Sequence, residues 1–352
     1  MNGKRILSIL TALAVLAIIG GLLGSCGDSN QRKLYVYNWV DYINEDLLDQ
    51  FEEETGIEVI LDFFDTNETL FAKLQAGATG YDIAFPSGYM VEIMNKNDML
   101  LELDHSKLPN LENIDQFYMQ LQTDRAMQYS VPYMVGATGI GFRPSIVGEL
   151  DELSWDIVAD PRFKGRTSLL NDIRETIAAG LKYLGYSANS TSVEELEAAR
   201  DVIIEWKRNI AKFEADTYRN SLASGEFVIT HLYSGDAIAL QDEMDDVDFL
   251  LPKEGTTISM DAMVILKDAP HPEEAYEFIN FLLRGDVAAA NTEYICYLAP
   301  NTASYELLPE EIINNPMINL DKELLANSEV LDDLGEATAL YVRIWDEIKA
   351  AQ

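Results

Sequence analysis

Tyr35-Val36-Tyr37-Asn38-Trp39-Val40-Asp41-Tyr42 opens as a β-branched and aromatic run and closes on a Trp, an Asp and a Tyr. Its first half, 34–37, reads as a strand. The residues after it set the kind of sheet. Asn44 stands where a helix N-cap belongs, Leu47, Leu48 and Phe51 recur on one helical face, and Gly56 supplies the stop. Residues 57–63 form the next strand. Asn67 heads a second helix carrying Leu70, Phe71 and Leu74, which runs out near Gly77 and Gly80. Ile83-Ala84-Phe85 is a third strand, halted by Pro86-Ser87-Gly88-Tyr89. Strands alternating with short amphipathic helices predict a mainly parallel sheet flanked by helices.

The pattern resumes downstream. Stretches 129–132 and 139–142 read as two short strands of a connection. Residues 155–163 form a short helix and turn, and 166–170 a strand ending in Asn171-Asp172-Ile173-Arg174-Glu175. A helix then runs through Leu184 to Gly185, and 193–207 is amphipathic, with Leu196, Ala199 and Ile203 inward. Strand 227–232 ends in Tyr233-Ser234-Gly235-Asp236. Further strands come at 248–251 and 259–266, then a helix at 272–283 and a mostly helical tail from Leu320. A chain of 352 residues, 48% hydrophobic, supports large cores. Two α/β units packed side by side, with the chain crossing between them more than once, are expected.

The first residues stand apart from the fold. Lys4 and Arg5 precede an apolar run over 6–23, which leads into Leu23-Gly24-Ser25-Cys26. A basic start, an apolar middle and small residues before a cut describe a signal peptide over 1–25. A Leu and two small residues before a Cys resemble the bacterial lipobox, which makes Cys26 the lipidated N-terminus and 26–32 a tether. An uncleaved anchor and an ordinary signal peptide are the alternative readings. The other cysteine, Cys296, then has no intramolecular partner and reads as a small buried hydrophobe.

The formal charge is −35, and residues 1–25 hold no acid, so their removal leaves the chain more negative still. That excludes nucleic acid as a partner and favours cations. His105, His231 and His271 lack metal-ligand spacing, and no P-loop or dinucleotide fingerprint is present, so neither metal nor cofactor is expected. Ser87 has no nucleophile elbow around it. The same chemistry recurs where strands end: Trp39, Asp41 and Tyr42; Ser87 and Tyr89; Asp172 and Glu175; Tyr233 and Asp236; Met260 and Asp261. Facing sheets would bring these clusters into one cleft, with carboxylates for ammonium groups and aromatic walls for the methylenes between them. Each also has a plain structural reading: Trp39 and Tyr42 as core, Asp172 as an N-cap, Glu175 as a first-turn acid, Asp236 as a turn residue.

Tyr37-Asn38-Trp39-Val40-Asp41-Tyr42, Phe51…Glu54-Thr55-Gly56-Ile57, Asn67-Glu68-Thr69 and Tyr81-Asp82-Ile83…Pro86-Ser87-Gly88-Tyr89 resemble the bacterial spermidine/putrescine-binding proteins. The likeness continues through Ile140-Gly141, Arg174-Glu175, Pro252-Lys253-Glu254-Gly255, Met260-Asp261 and Asn280-Phe281-Leu282-Leu283-Arg284. It implies a two-lobed, class II periplasmic-binding-protein fold with a ligand cleft between the lobes. Lobe 1 would take 33–135 plus 261–305, and lobe 2 136–260 plus 306–352. It implies ligand contacts by Trp39, Asp41, Tyr42, Ser87, Tyr89, Asp172, Glu175, Tyr233, Asp236, Asp261 and Tyr297. Departures from the family pattern fall at Val40, Tyr233, Ser259 and Leu331, and leave putrescine against spermidine open. The expected function is a monomeric, lipid-anchored binding protein of the cell envelope that hands a polyamine to an ABC permease and is not an enzyme. A polyamine-sensing receptor subunit, or a binder of another organic cation, is the alternative.

Overall fold

β1 (Arg32–Trp39) lies parallel to β2 (Ile57–Phe64), with Arg32 opposite Ile57 and Trp39 opposite Phe64. β3 (Ile83–Ala84) joins the other side of β1, also parallel. The computed structural model describes residues 31–351 apart from 79, 122–123, 149, 151–152, 215–216, 316–317 and 319–326. The signal-peptide and lipidation expectations for residues 1–25 and Cys26 lie outside the described residues.

The helix Asp46–Thr55 buries Leu47 and Phe51 and ends at Gly56, whose φ of 73° suits a residue without a Cβ. Two capping expectations shift by one residue. Glu45 holds the N-cap position of this helix, although the Asn44 side chain accepts a hydrogen bond from the Asp46 amide at 3.1 Å. Thr66, not Asn67, caps the helix Asn67–Gln75 by accepting from the Thr69 amide. Asn67 is thereby left to bond elsewhere.

The larger correction concerns 129–142. The two expected short strands are one 12-residue strand, β4 (Val131–Phe142), buried throughout. Gly136 lies in the gap between the two expected strands and Gly139 opens the second, and both permit close approach. A Cβ at Gly139 would come within 2.6 Å of Phe249 Cζ. Three further strands of the second unit are β5 (Thr167–Leu170), β6 (Lys212–Glu214) and β7 (Ile229–Tyr233). The other shared strand, β9 (Thr257–Ile265), pairs antiparallel with β4. The resulting path is β2-β1-β3-β9-β4-β7-β5-β6, with β8 (Asp248–Leu250) on β4 and β10 (Glu329–Val330) on β9. Parallel pairing is confined to the outer groups: β2-β1-β3, β6-β5-β7 and the short β10. The shared strands meet β3, β7 and β8 antiparallel, so the sheet is more mixed than the sequence led us to expect.

Two large apolar cores lie on this path. One draws on Leu34, Phe51, Phe85, Tyr133 and Met134, and returns with Met263, Phe278 and Ala299. The other joins Ile140, Trp155, Leu169, Ile203 and Ile229 to Tyr341, Ile344 and Ile348. β4 supplies both, which is why the chain forms two lobes on a continuous sheet. The described part of the tail passes through β10 and is then mostly helical, ending in the helix Thr338–Ala350. Cys296 is 5% exposed and closes the helix Gly285–Ile295 at a φ of 62°. Among the described residues, no helix is long and apolar enough to cross a membrane.

Candidate functional site

The opening segment turns back on itself as β1 ends. Asn38, fully buried, accepts from the Trp39 amide and donates to the Tyr42 carbonyl at 3.2 Å. Tyr133, at a shift in the β4–β9 register, donates its hydroxyl to the same carbonyl at 2.8 Å and accepts from Asn291. These bonds fix Tyr42. Its hydroxyl donates to Oδ2 of Asp261 at 2.7 Å, and Ser87 donates to Oδ1 at 2.6 Å. Ser87 is set in turn by Asn67, which accepts from its amide and donates to its hydroxyl, both at 3.1 Å. Trp39 donates its indole N–H to the Phe85 carbonyl at 2.8 Å and packs on Phe64.

Asp261 is 8% exposed, and burial pushes its carboxyl above the usual range, with Ser87 and Tyr42 pulling partly back. Among the described residues no cationic side chain pairs with it. A buried carboxylate held by neutral donors alone is costly, and a cation relieves that cost.

A second acidic group sits at the head of the helix Ile173–Tyr183. Asp172 caps it, accepting from the Arg174 amide at 2.8 Å and the Glu175 amide at 3.0 Å. Glu175 is 6% exposed, and its Oε2 accepts from Thr138 at 3.0 Å and from Thr257. Burial raises both carboxyls, and Asp172 raises Glu175 further. Arg174 does not neutralise them by contact. Its guanidinium donates to the Asp332 carbonyl and the Asn189 side chain, between the rings of Tyr89 and Tyr341.

Tyrosines separate the acids. Tyr233 ends β7 half-buried, its hydroxyl pushed up by burial and then by Asp172 and Glu175. Tyr297 lies 5.6 Å from the Tyr42 ring, its hydroxyl raised by burial and by Asp236 and Asp261. Tyr89 donates to Glu68 at 3.2 Å and meets Arg174 across the lobes. Asp236 takes a hydrogen bond from Tyr218 and lies 3.6 Å from Arg219, so a protein cation already serves it. Asp41 does not join this group: it is exposed on a turn at a φ of 53°. Val40 beside it is 60% exposed.

Sequence reasoning thus missed the supports: Asn38, Asn67, Tyr133, Thr138, Thr257 and Asn291. Only Asn67 carried a signal, since Thr66 beside it can take the cap and leave the Asn67 amide free for another partner. Among the described residues no cluster of His, Cys, Asp and Glu fits a metal ion.

Two α/β lobes sharing strands, with acids and tyrosines gathered at the strand ends between them, define a two-lobed solute-binding protein. Residues 46–319 match the family described as bacterial extracellular solute-binding protein, and the chain belongs to that family. It is 37% identical over 341 residues to the spermidine/putrescine-binding periplasmic protein of Escherichia coli, covering 97% of this chain and 98% of that one. Two solved structures are similar throughout. The spermidine/putrescine ABC transporter substrate-binding protein PotD of Streptococcus pneumoniae has a TM-score of 0.81 at 35% identity, over 90% of this chain and 98% of that one. The Tp0655 lipoprotein of Treponema pallidum has a TM-score of 0.82 at 30% identity, over 90% and 99%.

Proposed function

We propose that this protein captures a polyamine, putrescine or spermidine, outside the cytoplasm and delivers it to an ABC importer. One observation carries the reading. Asp261 at one group and Asp172 with Glu175 at the other are buried acids with raised pKa values, and tyrosines lie between. An alkyl diammonium has the complementary form: N–H donors at its ends for the acids, methylenes for the rings. Relatives named for spermidine and putrescine over nearly the whole chain support the same ligand class.

In this reading Asp261, with Tyr42 and Ser87, holds one ammonium, and Asp172 and Glu175 hold another. Trp39, Tyr89, Tyr233 and Tyr297 form the walls. Asp236 and Asp41 act at the margin, the first through Tyr297 and the second at the mouth. Lobe 1, 33–135 plus 261–305, closes on lobe 2, 136–260 plus 306–352, by bending of the shared strands. The protein binds without turnover, works as a monomer and is tethered by a lipid on Cys26. The lipoprotein relative from Treponema pallidum supports the tether.

Calorimetry on ligand-stripped protein tests the ligand class. Saturable heat with putrescine or spermidine supports it, and no binding of either overturns it. Cys26→Ala, expressed in a bacterium, should move the protein from the membrane fraction to the soluble one.

A further inference from the structure

Three threonines gather where β4 and β9 run side by side. Thr138, Thr256 and Thr257 are each no more than 2% exposed. Thr256 donates its hydroxyl proton to the Thr138 carbonyl at 2.8 Å. Thr138 donates to Oε2 of Glu175 at 3.0 Å, and Thr257 donates to the same oxygen. The Thr138 hydroxyl also lies 2.8 Å from that of Thr257 and 3.0 Å from that of Thr256. Each hydroxyl has one proton to give. With that of Thr256 on a carbonyl, those of Thr138 and Thr257 go to Glu175, and one carboxylate oxygen receives two. Oε1 receives none from the described residues.

The two donors come from different strands, and both strands are shared by the lobes. They meet only while β4 and β9 hold the register that sets Ala137 opposite Ile258 and Gly136 opposite Ser259. Hydrogen bonds to the charged form of a buried acid favour that form. Other groups act on Glu175 as well. Asp172 on its own helix opposes ionisation, Arg174 assists it, and Tyr233 faces both acids as a neutral phenol.

We propose that Thr138 and Thr257 are positioning residues for cation capture: they fix one oxygen of Glu175, favour its ionised form, and leave Oε1 for the ligand's ammonium. The proposal rests on the polyamine reading and adds that the strands joining the lobes set the charge of a ligand-binding acid.

The test measures putrescine and spermidine affinity by calorimetry from pH 5 to 9 for wild type, Thr257→Val, Thr138→Val, Thr257→Ser and Thr256→Val. Thermal denaturation of each reports folding. The valine variants at 257 and 138 should bind about tenfold more weakly at neutral pH. The acid limb of their affinity profile should move upward by about one pH unit. Thr257→Ser should restore both. Thr256→Val, which removes a hydroxyl that gives Glu175 no proton, should leave the limb in place. In a Glu175→Gln background Thr257→Val should change affinity by no more than about twofold. If wild type binds and the limb stays put in folded Thr257→Val and Thr138→Val, or if serine fails to rescue, the proposal is overturned alone. If wild type binds neither polyamine at any pH, the functional reading falls and the proposal with it.

Discussion

Tyr42 donates its hydroxyl proton to Oδ2 of Asp261 across 2.7 Å, joining residues 219 positions apart in the chain. The bond ties the turn after β1 to β9, the strand both lobes share. It also uses only half of the carboxylate, because Ser87 takes Oδ1. Both donors are neutral, so the carboxylate's charge remains for a ligand.

Asp261→Asn should therefore weaken polyamine binding by about tenfold or more, the loss of a hydrogen bond to a charged group. Tyr42→Phe keeps the charge and Ser87, and should cost about 0.5–1.5 kcal/mol of binding free energy. Titration calorimetry ranks the two. An Asp261→Asn protein with wild-type affinity would remove Asp261 from the site.

Binding should release protons. Asp172, Glu175 and Asp261 have raised pKa values without a ligand. An ammonium beside them favours the anions and lowers those values, so the complex holds fewer protons than the free protein. Affinity then rises with pH through the interval between free and bound values, while an alkyl amine stays charged until about pH 10. Calorimetry at pH 6 in two buffers of different ionisation enthalpy should show net release, smaller in Glu175→Gln. Uptake, or no exchange, contradicts the assignment of these acids to the cation.

How much the sequence disclosed depends on how local each signal is. A strand end, a cap and a Gly stop are encoded within a few residues, so Trp39, Tyr42, Asp172 and Asp261 were legible as they stood. β4 was not read as one strand, because the gap between 129–132 and 139–142 closes only once Tyr297 and Phe249 pack where Gly136 and Gly139 leave room. The threonines behind Glu175 were hidden for the same reason. A Thr in a strand is ordinary, and only the pairing of two strands more than a hundred residues apart in sequence aims two of them at one oxygen. Asp41 shows the reverse case. It lay beside the right neighbours, but its positive φ turns it out to solvent.

His231 should make the fold acid-sensitive. It is fully buried on β7, its ring edge-on to Trp155 at 4.8 Å, and neither ring nitrogen has a hydrogen-bond partner among the described residues. Burial depresses its pKa from 6.5 to about 3. The unfolded chain therefore binds a proton below about pH 6.5 that the folded chain refuses, and stability drains away as pH falls from there. Between pH 7.5 and 5 this group accounts for about 2 kcal/mol of lost stability. His231→Leu should lose correspondingly less in urea unfolding at those two pH values. Equal losses in the two proteins would show that another group controls the acid limb.

Gly235→Ala should damage binding more than folding. Tyr297 lies with one ring edge against Gly136 on β4 and the other against Gly235 in the first turn of the helix Ser234–Glu243, and a Cβ at either glycine would overlap the ring. The slot exists because two glycines, one on β4 and one on a helix, lack the methyl groups that would fill it. Tyr297 also has its hydroxyl pKa, raised by burial, partly lowered by the Gly235 backbone and lies against Tyr42, so displacing it disturbs the wall beside Asp261. The overlap costs about 1–3 kcal/mol. Alanine's better helix propensity returns about 1 kcal/mol, so the melting temperature should fall only modestly. Polyamine affinity should drop by about tenfold, since the ring must leave the slot toward the ligand. Tyr297→Ala supplies the control. With the ring gone, adding Gly235→Ala meets no obstacle and should be neutral or stabilising, with no further loss of affinity. Should Gly235→Ala alone bind as wild type does, the ring is not held by the slot, and Tyr297 is not a wall of the site.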